Sequence, residues 1–323
     1  TSLLSAFVEN VATILIVAPI ALAMAERLKV SPIPFLVALA VSSNLQGSAT
    51  LVGDPPSMIL AGYTSMTFND FFFFLGKPGI FFAVEIGAIV SFGVLYLVFR
   101  RYTQPAEVEM KDEVTTWVPT WMLVTLIVAL AGSSFIDPEF RWAAGTICTV
   151  YGIAGLAWHR IKFRHGTIQV FKNLDWKTML FLAGVFVVVG SLTAAGWIEE
   201  LAAVVSRMVG SRILLSFCVI VTLSVLLSAF IDNVPYLVAT IPLVQQVADN
   251  TGAPLYLLLF GLLIGSCVGG NVTPIGASAN IVVAGMLDRH GYPVTFREFG
   301  KIGIPFTIAA TAAAAVFLWF VWR

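Results

Sequence analysis

The chain has 323 residues, of which 59% are hydrophobic and only 11% charged, and its 18 basic and 18 acidic residues leave a formal net charge of zero. At a mean hydropathy of +0.93 it carries more apolar surface than a soluble domain can bury, which points to an all-α polytopic membrane protein. No basic, aromatic-interleaved stretch suggests a nucleic-acid partner. Cys148, Cys218 and Cys267 stand in no CxxC or His-rich spacing, so neither a zinc site nor a disulfide framework is expected.

Apolar stretches run over approximately 11–26, 34–62, 78–99, 117–136, 142–158, 178–196, 213–231, 234–248, 255–287 and 302–322. Most are simple spans. The stretch 213–248 is interrupted by Asp232-Asn233-Val234-Pro235. Its two arms are each too short to cross ~30 Å comfortably, which predicts a re-entrant hairpin. The stretches 34–62 and 255–287 are too long and carry Gly, Asn, Thr and Pro at their centres. They read as discontinuous helices, in which unwound backbone lines a cavity. The run Phe71-Phe72-Phe73-Phe74 and the terminal indoles of Trp117, Trp121, Trp319 and Trp322 are expected at the membrane interface. An amphipathic segment over 197–210, with Glu199 and Glu200 near its start, is expected to lie along the outer surface.

The chain also repeats itself. Ser5-Ala6-Phe7-Val8-Glu9-Asn10-Val11 returns as Ser228-Ala229-Phe230-Ile231-Asp232-Asn233-Val234, an offset of 223 residues that also pairs Pro19 with Pro242, Ser43 with Ser266, Gly47 with Gly270, Thr50 with Thr273 and Gly53 with Gly276. This predicts a first repeat over 1–102, a polar linker over 103–116 and a second repeat over 117–323. The first repeat begins at a hairpin tip, and further sequence is expected to precede Thr1. Loops 27–33, 100–116, 159–177 and 288–301 hold thirteen Lys and Arg, against five on the opposite side. The first set is thus cytoplasmic, and the repeats are inverted across the bilayer.

Such a duplication builds one site at the midplane from both halves. Glu9 and Asp232 occupy matched hairpin tips, and an ionisable group at that depth faces a wet cavity or a partner by default. Each is followed by an amide, Asn10 or Asn233. Around the breaks stand Ser43, Asn44, Thr50 and Asp54, and in the other half Ser266, Asn271, Thr273, Ser278 and Asn280. Freed carbonyls, hydroxyls and amides are hard oxygen ligands suited to Na⁺. The competing reading for each hydroxyl is backbone satisfaction or helix pairing. Asp54, before Pro55-Pro56, could equally cap a half-helix, and Glu85 has no repeat partner and reads as a shallow or helix-pairing acid. No Lys or Arg falls in the predicted membrane centre, so an organic anion would depend on helix dipoles and co-bound cations.

At these motifs the chain resembles the ion-transporter superfamily, which includes arsenite permeases, NhaD-type sodium/proton antiporters, the P protein and citrate or dicarboxylate carriers. The resemblance rests on Ser5–Thr13, on 43–56 (Ser43-Asn44-Leu45-Gln46-Gly47 through Gly53-Asp54-Pro55-Pro56), on Asp232-Asn233-Val234-Pro235 and on 271–280. It implies a homodimeric inverted-repeat fold that moves its site in an elevator-like manner. It places Glu9, Asn10, Asp232 and Asn233 with Ser43, Asn44, Thr50, Thr273 and Asn280 at the ion and substrate sites, with Na⁺ near Asn10, Ser43, Asn44, Asn233 and Thr273. The Ser-Asn-Thr tips of the dicarboxylate carriers are replaced here by Glu-Asn-Val and Asp-Asn-Val.

The expected function is secondary transport in a prokaryotic inner membrane, coupling Na⁺ or H⁺ to a small inorganic ion (Na⁺/H⁺ exchange or arsenite efflux) without a further cofactor. The alternative on the same fold is a Na⁺-coupled dicarboxylate or citrate symporter. A remote alternative, an intramembrane aspartyl protease, would pair Asp54 with Asp232.

Overall fold

The computed structural model describes residues 1–100, 116–163 and 176–323. The expected linker lies outside the described residues apart from residue 116. The chain runs through α1 (Ser2–Ser5), α2 (Asn10–Arg27), α3 (Ile33–Gly47), α4 (Pro55–Thr64), a small hairpin of β1 (Phe73–Phe74) and β2 (Lys77–Pro78), and α5 (Ile80–Phe99). It continues with α6 (Val118–Ile136), α7 (Ala143–Phe163), α8 (Trp176–Ala194), α9 (Trp197–Val209), α10 (Ile213–Ser228), α11 (Asn233–Thr251), α12 (Leu255–Gly269), α13 (Ser278–Arg289) and α14 (Phe296–Trp322). Five described segments, Asn10–Arg27, Ile80–Phe99, Val118–Ile136, Leu255–Val272 and Phe296–Trp322, are long and apolar enough to cross a membrane. The all-α polytopic architecture is therefore the one observed.

Both long stretches break as their Gly and Pro content predicts. α3 stops at Gly47 and α4 starts at Pro55, and α12 stops at Gly269 and α13 starts at Ser278. Pro at the first helical positions of α4 is pre-set for a helix start and lacks the N–H that would go unpaired there. Around 213–248 the chain turns at 229–232 between α10 and α11. At 16 residues, α10 is about 24 Å long, shorter than the ~30 Å apolar core of a bilayer.

α12 is the centre of the fold, with every residue from Leu257 to Gly269 buried. α10 lies on its stripe of Gly261, Gly265 and Gly269, where an added Cβ would meet the Phe217 ring, Ser224 Cβ and Val225 O, each at 2.6 Å. Small residues four apart let two helices approach this closely. α14 packs along α5 and also crosses α12.

Two interfacial expectations are corrected. Phe71 is fully buried, Phe72 packs on Phe68 and Phe81, and Phe74 lies against Tyr256 and Trp322, so only Phe73 (64% exposed) is a surface ring. The β1–β2 turn folds the run back onto the core, which sequence composition does not encode. Trp322 is likewise buried, stacked edge-on to Phe260, with Nε1 donating to Pro78 O at 3.1 Å. Trp117 and Trp121 are exposed as expected. The amphipathic segment forms α9, which packs on α11, buries Ile198, Ala202 and Val209, and leaves Glu199 and Glu200 exposed.

Candidate functional site

The two repeats fold alike at their tips. Asn10 opens α2 and Asn233 opens α11. The acid before each accepts a backbone N–H: Glu9 from Ala12 at 3.0 Å and Asp232 from Val234 at 3.1 Å. Beside each tip a serine fixes the hairpin to the interrupted helix. Ser5 Oγ lies 3.1 Å from Ser43 O, and Ser228 Oγ donates to Ser266 O at 2.6 Å. The threonine of each break closes back onto the hairpin, Thr50 Oγ1 on Ala6 O and Thr273 Oγ1 on Ala229 O, both as short hydrogen bonds. The serine and threonine contacts recur at the one offset of 223 residues, whereas the tip acids bond the third residue on in one case and the second in the other.

The break glycines complete the match. A Cβ on Gly53 would sit 2.6 Å from Gly47 O, and one on Gly276 would sit 2.6 Å from Gly270 O. Only a residue without a side chain lets the unwound backbone close on itself there.

Between the repeats lies a buried carboxamide network. Asn44 Nδ2 donates to Asn271 Oδ1 at 2.8 Å and to Asn280 Oδ1 at 2.9 Å. Asn271 Nδ2 donates to Val41 O at 3.1 Å, and Asn280 Nδ2 to Gly270 O and Thr273 O, both at 2.9 Å. Asn10 Nδ2 approaches Asn44 Oδ1 at 3.5 Å. The network ties α3 of the first repeat to the break of the second.

Asp54 sits next to it, 4% exposed. It precedes α4 without a side-chain capping bond. Its carboxylate instead accepts from Asn233 Nδ2 of the other repeat at 3.3 Å, so the capping alternative does not describe it. Asp232 is half-buried and receives Ser278 Oγ at 3.2 Å, whereas Glu9 is exposed.

A cavity of ≈ 610 Å³ joins these groups. Glu9, Asn10, Asn44, Asp54, Asp232, Asn233 and Ser278 line its polar side, with Met179 and Phe181 opposite in kind, and among the described residues no Lys, Arg or His lines it. Of the sequence-predicted residues, Glu9, Asn10, Asn44, Asp54, Asp232 and Asn233 thus share one cavity. Ser43, Thr50, Thr273 and Asn280 stand behind it, their side chains engaged in holding the tips and breaks. The oxygens proposed for Na⁺ are therefore divided between cavity and scaffold. Asn271, a break residue already expected from the sequence, joins the carboxamide network; Ser57, which the sequence does not single out, is buried in the first turn of α4. Their signal in the sequence is a departure from repeat symmetry, since Asn271 matches Ser48 and Asn280 matches Ser57. Among the described residues no group of three His, Cys, Asp or Glu could hold a metal ion.

Two duplicated helical units, with matched hairpin tips and interrupted helices around one acid-lined cavity, define a membrane transporter of the broken-helix class. Compared with known families, residues 1–265 match the one described as citrate transporter. The chain belongs to that family. It is 32% identical to an uncharacterized transporter of Mycobacterium tuberculosis over 99% of this chain and 74% of the relative. It is 31% identical to the 46 kDa membrane protein of Mycobacterium leprae, over 98% of this chain and 74% of that protein. The human P protein is 26% identical over 98% of this chain and 47% of its own length.

Proposed function

We propose that the protein is a secondary transporter in which the cavity acids bind the coupling cation, Na⁺ or H⁺, with Asp54 as the central group and Glu9 and Asp232 flanking it. The observation that carries this reading is the cavity lining: three carboxylates from both repeats and, among the described residues, no cationic side chain. Buried charge demands a counter-charge, and one removed from water without it is strongly unfavourable. A proton or a small cation supplies it. The leading solute is accordingly the exchanged cation itself or a small inorganic species.

The family match favours a second reading, a carboxylate symporter, in which bound cations would neutralise the acids and admit an organic anion. Both readings use the same acids. The pairing of Asp54 with Asp232 in proteolysis has no support from the transporter relatives.

Proteoliposomes holding the purified protein separate the two. Proton flux driven by a Na⁺ gradient alone supports exchange; flux only when citrate and Na⁺ are present together supports symport. In either case Asp54→Asn and Asp232→Asn are expected to abolish coupled flux while the protein still inserts and folds. Asn is as good a helix N-cap as Asp, so the second variant keeps its tip. Full coupled flux in Asp54→Asn would remove the acid from the mechanism.

A further inference from the structure

α10 and α14 both pack against α12 and leave a cleft of ≈ 310 Å³ between them. The sequence makes this space. The wall on α14 includes Ala312 and Ala315, from an unbroken run of alanines, and the wall on α10 includes Thr222 and Leu226. Nearer to Ile213 and Trp322, the rings of Phe217 and Trp319 approach to 6.2 Å between centroids and narrow the cleft.

Thr311 of α14 lines the same cleft. It is 8% exposed, and its Oγ1 has no hydrogen-bond partner. A helical threonine commonly turns its hydroxyl back to the carbonyl four residues earlier. Thr240 does so to Tyr236 O and Thr251 to Val247 O, both at 2.7 Å. One turn before Thr311, Thr307 donates instead to Val268 O of α12 at 3.1 Å. Thr311 does neither, and an unmet buried hydroxyl is unfavourable in apolar surroundings.

Depth narrows the choice of partner. Ala309 is the midpoint of the 27-residue α14, so Thr311, two residues on, is about 3 Å along the axis from the centre of the helix. The polar atoms of a bilayer phospholipid begin at the edge of the ~30 Å apolar core. An ordinary lipid tail therefore brings no oxygen to Thr311, and a charged group is costly at this depth.

We infer that the cleft between α10 and α14 is a binding site for a neutral lipophilic molecule carrying a hydroxyl group. Its chain lies against Leu226, Ala312 and Ala315, and its oxygen pairs with Thr311 Oγ1, which can both donate and accept. The exposed Thr222 hydroxyl on the other wall offers a second partner. α10 is the arm that leads to the Asp232 tip, so this ligand touches the hairpin without entering the acid-lined cavity.

The test uses the purified protein in nanodiscs, a diazirine-bearing long-chain alcohol as photolabel, and peptide mass spectrometry as the readout. Label is expected on α10 and α14. Decanol should displace it at a membrane concentration about three- to tenfold lower than decane, which has the same chain without the hydroxyl; that ratio is the weight of one net hydrogen bond. Thr311→Val keeps the shape and removes a hydroxyl that no protein group uses, so its unfolding midpoint should not fall, while decanol and decane should become equally effective. Ala312→Leu fills the cleft and should abolish the label; if that variant does not fold, Thr311→Val decides. Equal displacement by decanol and decane in the unsubstituted protein would overturn the inference and leave a cleft filled by bulk lipid tails. So would an unchanged preference for decanol in Thr311→Val, or no label on α10 and α14. Because no flux is measured, failure of the cavity acids in transport assays leaves this result standing.

Discussion

Replacing Gly53 or Gly276 by alanine tests the break geometry directly. A Cβ at position 53 would lie 2.6 Å from Gly47 O, 2.9 Å from Ser5 O and 3.0 Å from Ala6 O. At position 276 the distances are 2.6 Å to Gly270 O, 2.8 Å to Ala229 O and 2.8 Å to Gly270 Cα. Every neighbour is backbone, and ordinary contact begins at 3.4 Å, so the hairpin and the broken helix must part by most of an ångström. Overpacking of this kind costs typically 1–3 kcal/mol. With no flexible side chain to yield, the upper end applies, and about 3 kcal/mol corresponds to roughly a hundredfold change in the folded-to-unfolded ratio. The assay is the unfolding midpoint in detergent, with Gly93→Ala and Gly285→Ala as controls, since a Cβ at either meets nothing within 4 Å. The controls are expected to be neutral or stabilising by up to ~1 kcal/mol. The two break variants should be destabilised to a similar degree and should lose uptake as well. If Gly53→Ala or Gly276→Ala behaves like Gly93→Ala, the close approach is not a constraint and the argument fails.

Other substitutions probe separate parts of the molecule. Asn44→Ala leaves Asn271 Oδ1 and Asn280 Oδ1 without their donor, so a loss on the order of 2–4 kcal/mol is expected from two orphaned acceptors; a midpoint equal to that of the parent would show that the network is not coupled to stability. Asp137, beyond the end of α6, accepts the N–H groups of Ala143 at 2.9 Å and Trp142 at 2.8 Å, and these bonds hold its pKa below the ordinary carboxylate value. A depressed folded-state pKa gives stability that is present above the unfolded value of about 3.9 and is lost as pH falls through the lower folded value. Asp137→Asn should therefore flatten that part of the pH dependence of the midpoint between pH 5 and the acid limit; an unchanged pH profile would refute the role.

Much of this architecture was legible because it is written locally. Gly53-Asp54-Pro55-Pro56 stops one helix and starts another by backbone rules alone, and the Asp232-Asn233 break needed only the length of its arms. The repeat was visible because Ser5, Thr50 and Gly53 do the same mechanical work as Ser228, Thr273 and Gly276, and so keep the same identity. At the unmatched positions the residues themselves were named from the sequence, but their partners were not. Asp54 corresponds to Ala277, Asn44 to Cys267 and Asn280 to Ser57, and each acts across the boundary between repeats, where no spacing rule applies. The same limit explains Phe71 and Trp322, whose burial depends on a two-strand turn and on the end of a helix 244 residues away from its hydrogen-bond partner.

The hydrogen bond from Asn44 to Asn271 joins residues 227 positions apart. During synthesis at about 5–20 residues per second, the first interrupted helix is made some 10–45 s before its partner exists. For that interval Asn44 has two amide hydrogens and nowhere in the second repeat to send them, in surroundings where an unmet polar group is expensive. The nascent first half must therefore wait near water or in the insertion machinery, rather than settle into lipid. The interlock that makes one site from two repeats also fixes the order of assembly: insertion of the first half is provisional until the last third of the chain arrives.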